Sequence, residues 1–234
     1  MNTTTVKQWT LLFVLTATVS GCAFTTAQVN LAYKPEAAQK SPLSTIKPLV
    51  FAIQIDDQRD TNERDRVGNK RNGFGAITAS VKTNQDVTLV LQEALKTELE
   101  NNGHNIRPPK EANLNATVHV LLKKYWSDLT IRFFEIQMVG TINADVEVLD
   151  AQNERIVSKP ISSTYTESRQ IATDGAFESV LNGALLEFIR NFARDPSIVN
   201  ALQGMQREKI ADVFSPPADG GIRTEESPES RDHT

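Results

Sequence analysis

The chain has 234 residues, a single cysteine and 39% hydrophobic residues, with 25 Lys+Arg against 29 Asp+Glu for a net charge of -4. A mildly acidic chain gains nothing electrostatically from nucleic acid or an anionic lipid surface, and this composition excludes a wholly disordered one. One cysteine closes no intramolecular disulfide, so stability has to come from a hydrophobic core.

Lys7 and the amino terminus form a short positive region ahead of the apolar run Trp9 to Val19. That run is well short of the roughly 20 apolar residues a spanning helix needs. Its positive flank and small-residue exit instead mark 1–21 as a cleaved secretory signal. The exit, Val19-Ser20-Gly21-Cys22, resembles the bacterial lipobox. In a lipobox, small residues give a peptidase access to the bond, and the cysteine becomes the new amino terminus with a diacylglyceryl group on its sulfur. Cys22 is therefore the expected lipid attachment site, and the partner it implies is a membrane, held through N-terminal acyl chains.

Residues 22–48 read as an acylated terminus and flexible tether, rich in Thr, Ala, Gln and Ser and broken by Pro35, Pro42 and Pro48. Fully extended, such a tether spans roughly 80 Å and holds the domain clear of the headgroups. Leu49 to Ile55 is a near-continuous apolar strand, placed centrally in a sheet. Asp56 to Lys82 reads as a long mobile loop that ends in a short strand near Ala76 to Val81.

Asp86 to Asn102 is an amphipathic helix, capped by Asn84 or Asp86, with Val87, Val90, Leu91, Ala94, Leu95 and Leu99 on one face and Gly103 as its stop. A brief extended piece at His104 to Arg107 precedes Pro108-Pro109. Leu114 to Lys124 alternates as a strand, and Ile136 to Val148 does so over a longer run. A turn at Asp150 to Glu154 returns the chain as Arg155 to Thr166. Asp174 to Ala193 is a second amphipathic helix with a wide apolar stripe, and Asp195-Pro196 starts a third, short one through about Met205. Residues 206–234 read as a disordered polar tail. The expected fold over 49–205 is α+β in two layers, a mainly antiparallel sheet with two amphipathic helices packed on one face.

No catalytic residues, cofactor or metal are expected, because no Walker loop, nucleophile elbow, HExxH or GxGxxG occurs. His104, His119 and His233 lack metal spacing, and His119 reads as a solvated or neighbour-bonded strand residue. The acidic stretch Asp56, Asp57, Asp60, Glu63 and Asp65 lacks EF-hand spacing and is interrupted by Arg59, Arg64 and Arg66, so it reads as self-neutralising charge. Tyr125, Trp126, Phe133 and Phe134 flank Ser127 to Arg132, taken as a loop, and are the candidate interaction surface. They either seal the sheet against the helices or line an apolar groove or interface.

A lipobox, a tether, a first strand running into Asp57-Gln58-Arg59, a Leu89 to Leu99 helix with LQEAL ended by Gly103, and a last helix closing on Asp195-Pro196-Ser197-Ile198 together resemble the YajG-type lipoproteins of Gram-negative bacteria. The resemblance covers roughly Leu49 to Leu202 and supplies no catalytic residues. It implies outer-membrane association facing the periplasm, since Ala23 stands where Asp is the usual signal for inner-membrane retention. The expected function is a non-enzymatic periplasmic domain, an accessory or scaffold in envelope assembly or maintenance with an envelope protein as partner. The alternative is a lipid or glycan carrier or sensor using a groove near Tyr125 to Phe134.

Overall fold

The computed structural model describes residues 25–35, 40–60, 62–109, 111, 113–131 and 135–214, with backbone alone for 207–214. In chain order the elements are β1 (Ala27–Gln28), a single 3-10 turn (Pro42–Thr45), β2 (Val50–Asp57), β3 (Arg66–Arg71), β4 (Ile77–Lys82), α1 (Val87–Asn101), β5 (Asn105–Ile106), β6 (Ala116–Ile131), β7 (Ile136–Asp150), β8 (Arg155–Arg169), α2 (Asp174–Arg194) and α3 (Pro196–Phe214).

The α+β class holds, but the eight-stranded sheet is mixed rather than mainly antiparallel. β6, β7 and β8 form an antiparallel meander, and β3 and β4 form an antiparallel hairpin. The ladders β1–β4, β2–β5, β2–β6 and β3–β6 are parallel. Strand β6 is long enough to have two partners on its second edge. β2 lies along its first half, from Phe51 opposite Ala116 to Asp57 opposite Leu122. β3 meets its second half where Gly68 lies opposite Ser127.

The local chemistry of the helices follows their sequences. Asp86 accepts a hydrogen bond from Thr88 N–H at the start of α1, and Gly103 takes a left-handed φ of +92° just past its end. Thr173 caps α2 through Ala176 N–H. The Asp195 carboxylate accepts from Ser197 and Ile198 N–H ahead of Pro196, and α3 then runs to Phe214, past the expected end near Met205. α2 packs on β7 and β8, while α1 packs on β2 and β5 and touches α2. Between them lie Leu91, Leu95, Leu99, Phe177, Leu181, Leu185 and Phe188, all fully buried, each worth about 2 kcal/mol of burial.

Four further expectations are corrected. The supposed tether is largely structured, with Ala27, Val29, Leu31, Leu43 and Ile46 in the core, so the folded body begins near Thr25 instead of Leu49. Only five residue steps separate Cys22 from Ala27, a reach of roughly 17 Å, so the expected long spacer between Cys22 and the folded body is absent. The supposed loop of 56–82 holds a second strand, β3, paired as a hairpin with β4, the short strand expected near Ala76 to Val81. Finally, Ser127 to Ile131 continues β6 as strand. A bulge between Leu122 and Lys124 leaves Lys123 and Lys124 both exposed and shifts the inward phase from Val118, Val120 and Leu122 to Tyr125, Ser127 and Leu129.

Candidate functional site

The structure separates the residues that the sequence grouped. Tyr125 is completely buried in the core, whereas Trp126 projects to the opposite face, where the Arg66 guanidinium lies 5.8 Å from its ring centroid. The pair therefore lines no common groove. Cys22, His233, Phe133 and Phe134 lie outside the described residues. Burial pushes the Tyr125 phenol well above its usual range, against a smaller opposing pull from Arg59, and its hydroxyl has no hydrogen-bond partner among the described residues. A buried donor without a partner costs about 1–3 kcal/mol. Tyr125→Phe should accordingly raise stability in urea unfolding by about 1 kcal/mol; a loss would mean that the hydroxyl is satisfied in solution.

The chain behind Cys22 is fastened to the body in an unusual way. Val29 N–H still donates to the Lys82 carbonyl, but beyond it side chains replace a partner strand. Asn30 N–H donates to Glu178, Leu31 N–H to Gln85 Oε1 and Ala32 N–H to Asn182 Oδ1. Gln85 Nε2 donates back to the Leu31 carbonyl, and Asn182 Nδ2 to that of Asn30. A cleft of about 420 Å³ opens beside this segment, lined by Leu31, Tyr33, Leu89, Val90 and Ala94 with Gln85 and Glu93 on its rim. The alternation of Ala27, Val29, Leu31 and Tyr33 with Gln28, Asn30 and Ala32 was the sequence signal for this strand-like path.

Farther along, His104 holds the same region. Leu49 N–H donates to its Nδ1 at 3.3 Å, its ring stands edge-on to Phe51, and its Nε2 is buried with no hydrogen-bond partner among the described residues. Burial lowers the pKa of His104 below its ordinary 6.5, a little offset by Leu43. The unfolded chain thus takes up this proton first as pH falls, and stability should decline below about pH 6.5. His104→Asn keeps an acceptor for Leu49 and cannot titrate. Thermal unfolding between pH 7.5 and 5 should show a smaller drop for it than for the natural chain, and an equal drop would remove His104 from the account.

Asp57-Gln58-Arg59 forms a clamp. The Arg59 side chain, 4% exposed, donates through Nε and Nη2 to both oxygens of Asp57, and also to the Arg64 and Arg66 carbonyls. Asp57 also pairs with Arg64. Glu63 pairs with Arg66 and Lys82, and Asp65 with Lys82. His119 bridges Asp56 and Glu147 across β6, a neighbour-bonded role. These are ties between strands, and no three carboxylate, cysteine or histidine side chains converge as metal ligands among the described residues.

One end of the sheet stands apart. Because β3 runs parallel to β6, the β3–β4 turn, the β6–β7 end and the β8–α2 connection share that end. It exposes Phe74 (98%), Ile77 (53%), Ile131 (41%) and Ile171 (72%). Sequence reading missed it because Gly73-Phe74-Gly75 looks like an ordinary glycine turn. Asn72 Oδ1 accepts from Phe74 and Ala76 N–H, Gly75 N–H donates to the Asn72 carbonyl, and Arg71 donates to the Gly75 carbonyl. Gly75 supplies the left-handed φ of +82°. The turn therefore holds Phe74 outward. Below it, Arg71 pairs with Asp128, which raises its pKa, and Lys70 pairs with Asp174.

These features define a class, an α+β domain built on a mixed sheet with helices α1 and α2 packed against its strands. The chain belongs to a family of uncharacterised lipoproteins, whose model matches residues 35–203, in agreement with the YajG-type resemblance. Membership carries with it a membrane-anchored place in the cell envelope. None of the curated proteins matches. The fold is similar to that of protein XCC0632 from Xanthomonas campestris, at 14% identity and a TM-score of 0.52, covering 79% of this chain and 99% of that one. Two lipoproteins are less similar. GNA1162 from Neisseria meningitidis shows 10% identity and a TM-score of 0.33, covering 60% of this chain and 97% of that one. A minor lipoprotein from Acinetobacter baumannii shows 13% identity and a TM-score of 0.37, covering 65% of this chain and 92% of that one. Among the described residues, no helix is long and apolar enough to cross a membrane.

Proposed function

We propose that this is a non-enzymatic accessory or scaffold domain, anchored through acylated Cys22 in the outer membrane, facing the periplasm and serving envelope assembly or maintenance. The observation that carries this reading is the mount. Glu178, Gln85 and Asn182 clasp residues 30–32, so the chain just after Cys22 is joined to α2 and to the start of α1. A short mount of this kind suits a body held at a fixed place near a bilayer, and two acyl chains give stable anchoring where one gives only marginal binding. The charged residues of the body support a non-enzymatic role, since Asp57, Arg59, His119 and Lys70 each hold one strand or helix to another. A carrier acting through Tyr125 and Trp126 draws no support from their placement on opposite faces.

Cys22→Ser should abolish fatty-acid labelling and release the domain from the membrane fraction, or leave the signal uncleaved. Retention of both label and membrane association would overturn the anchoring. For the scaffold role, mild crosslinking in the envelope should give one stoichiometric protein partner for the natural chain and lose it in the Cys22→Ser chain. A chain that yields only monomer in intact envelopes would not be a scaffold.

A further inference from the structure

We propose that the apolar end of the sheet is a membrane-contact face, with Phe74, Ile77, Ile131 and Ile171 seated in the headgroup and upper acyl region of the bilayer that holds Cys22. It deepens the anchoring reading and rests on it.

The first observation is direction. β4 leaves the Phe74 turn and runs from Ile77 to Lys82, and β1 lies parallel to it with Ala27 opposite Val81 and Gln28 opposite Lys82. The chain therefore approaches Ala27 from the side on which the turn lies. Cys22 is five residue steps upstream, a reach of roughly 17 Å, and Val81 back to the turn at Ala76 is the same number of steps along β4. The acylated residue thus lies within reach of the turn and not of the far end of β8. That far end, at Arg155, is roughly 46 Å from Arg169 along the strand.

The second observation is concentration. Of the large hydrophobic side chains exposed among the described residues, Phe74, Ile77, Ile131 and Ile171 gather at this end, and only Leu89 and Ile156 lie elsewhere. An exposed apolar patch marks an interaction site, and an aromatic flanked by aliphatics suits the bilayer boundary. The third is order. Asn72 and Arg71 pin the turn that presents Phe74, so little conformational entropy remains to be lost on insertion. The fourth is charge. Lys70, Arg71 and Arg169 are paired with Asp174, Asp128 and Glu167, so contact draws on apolar burial, and zwitterionic lipid suffices. A protein partner could also cover an apolar patch, but the proximity of Cys22 favours the bilayer.

The test uses the full acylated chain in phosphatidylcholine vesicles whose acyl chains carry bromine, which quenches tryptophan on contact. In a Trp126→Phe background, with Trp9 removed along with the signal, one reporter is Phe74→Trp and the other Ile156→Trp at the opposite end of β8. Fatty-acid labelling of Cys22 is measured on the same samples. The expected result is labelled protein with quenching several-fold stronger for Phe74→Trp than for Ile156→Trp. Phe74→Ser with Ile171→Ser should also exchange between vesicles several-fold faster than the natural chain. Labelled protein with equal quenching at both reporters would overturn the contact face and leave the anchor intact. An unlabelled Cys22 would overturn the anchor and this proposal with it. A Phe74→Trp reporter shielded from bromolipid but crosslinking to an envelope protein would convert the face into a protein interface, also against the proposal.

Discussion

Replacing Gly140 with alanine should lower the stability of the domain by about 3 kcal/mol, the upper end of what overpacking a core typically costs. A Cβ at this position of β7 would stand 2.0 Å from the Val180 carbonyl oxygen, 2.5 Å from its carbon and 3.1 Å from Leu181 N. All three are backbone atoms of α2, so no side chain can rotate away and the whole helix has to lift. Phe177, Leu181, Ala184 and Leu185 would lose contact with the sheet together. For a domain of this size the midpoint should fall by roughly 6–12 °C in a thermal melt. Gly183→Ala offers an informative contrast, because its Cβ would meet Tyr165 Cδ1 at 2.4 Å and Cγ at 2.5 Å, side-chain atoms that can give way where the α2 backbone cannot; its cost should be smaller, about 1–2 kcal/mol. Gly204→Ala, with nothing within 4 Å, should be neutral or gain up to about 1 kcal/mol from helix propensity. A melt of Gly140→Ala within about 2 °C of the natural chain would contradict the close approach of α2 to β7.

The contrast between Gly140 and its neighbours also explains what the sequence could and could not reveal. Where one face is buried, the pattern is plain: the alternation of Ile136 to Val148 and the stripe Phe177 to Phe192 appear as β7 and α2 with their caps in place. β3 was hidden because its buried residues include Asn69 and Lys70. Lys70 is tolerated there by Asp174, a partner supplied 104 residues later by a helix start, and no local pattern announces such a pair. Gly68 conceals the strand further. It replaces an apolar residue because Ser127 Oγ would lie 2.1 Å from any Cβ. The second half of β6 was lost to the bulge at Lys123 and Lys124, which breaks the period of two that identifies a strand. Residues 29–32 were lost because their partners are mostly side chains, Gln85, Glu178 and Asn182, instead of another strand. The apolar end at Phe74 could be recognised only in three dimensions, since its members come from three separate connections.

Asp57→Ala should have the largest electrostatic effect in the domain, a loss of about 3–5 kcal/mol, because it leaves the buried Arg59 guanidinium without its carboxylate. The Arg64 and Arg66 carbonyls would remain as acceptors, but neither carries a neutralising charge. The carboxyl of Asp57 lies below its ordinary pKa of 3.8: burial raises it, and hydrogen bonds and charge from Arg59, with the charge of Arg64, outweigh that rise. A group depressed in the folded state contributes stability that is fully present above its unfolded value near 4 and is lost as pH falls through the folded value. The Asp57→Ala chain should therefore be less stable at pH 7 and lose less of its remaining stability between pH 4 and more acid conditions. Some acid dependence will persist. Glu147, held down chiefly by Arg155, and Glu167, where Ser179 and Arg169 outweigh burial, follow the same rule. Changing both partners, Asp57→Ala with Arg59→Met, should recover most of the loss, since a buried pair replaced by apolar groups is often close to neutral. Urea unfolding of the two single variants and the double variant decides the matter. If the double variant is as unstable as Asp57→Ala alone, the damage lies in the folding of residues 57–66 and not in an uncompensated charge.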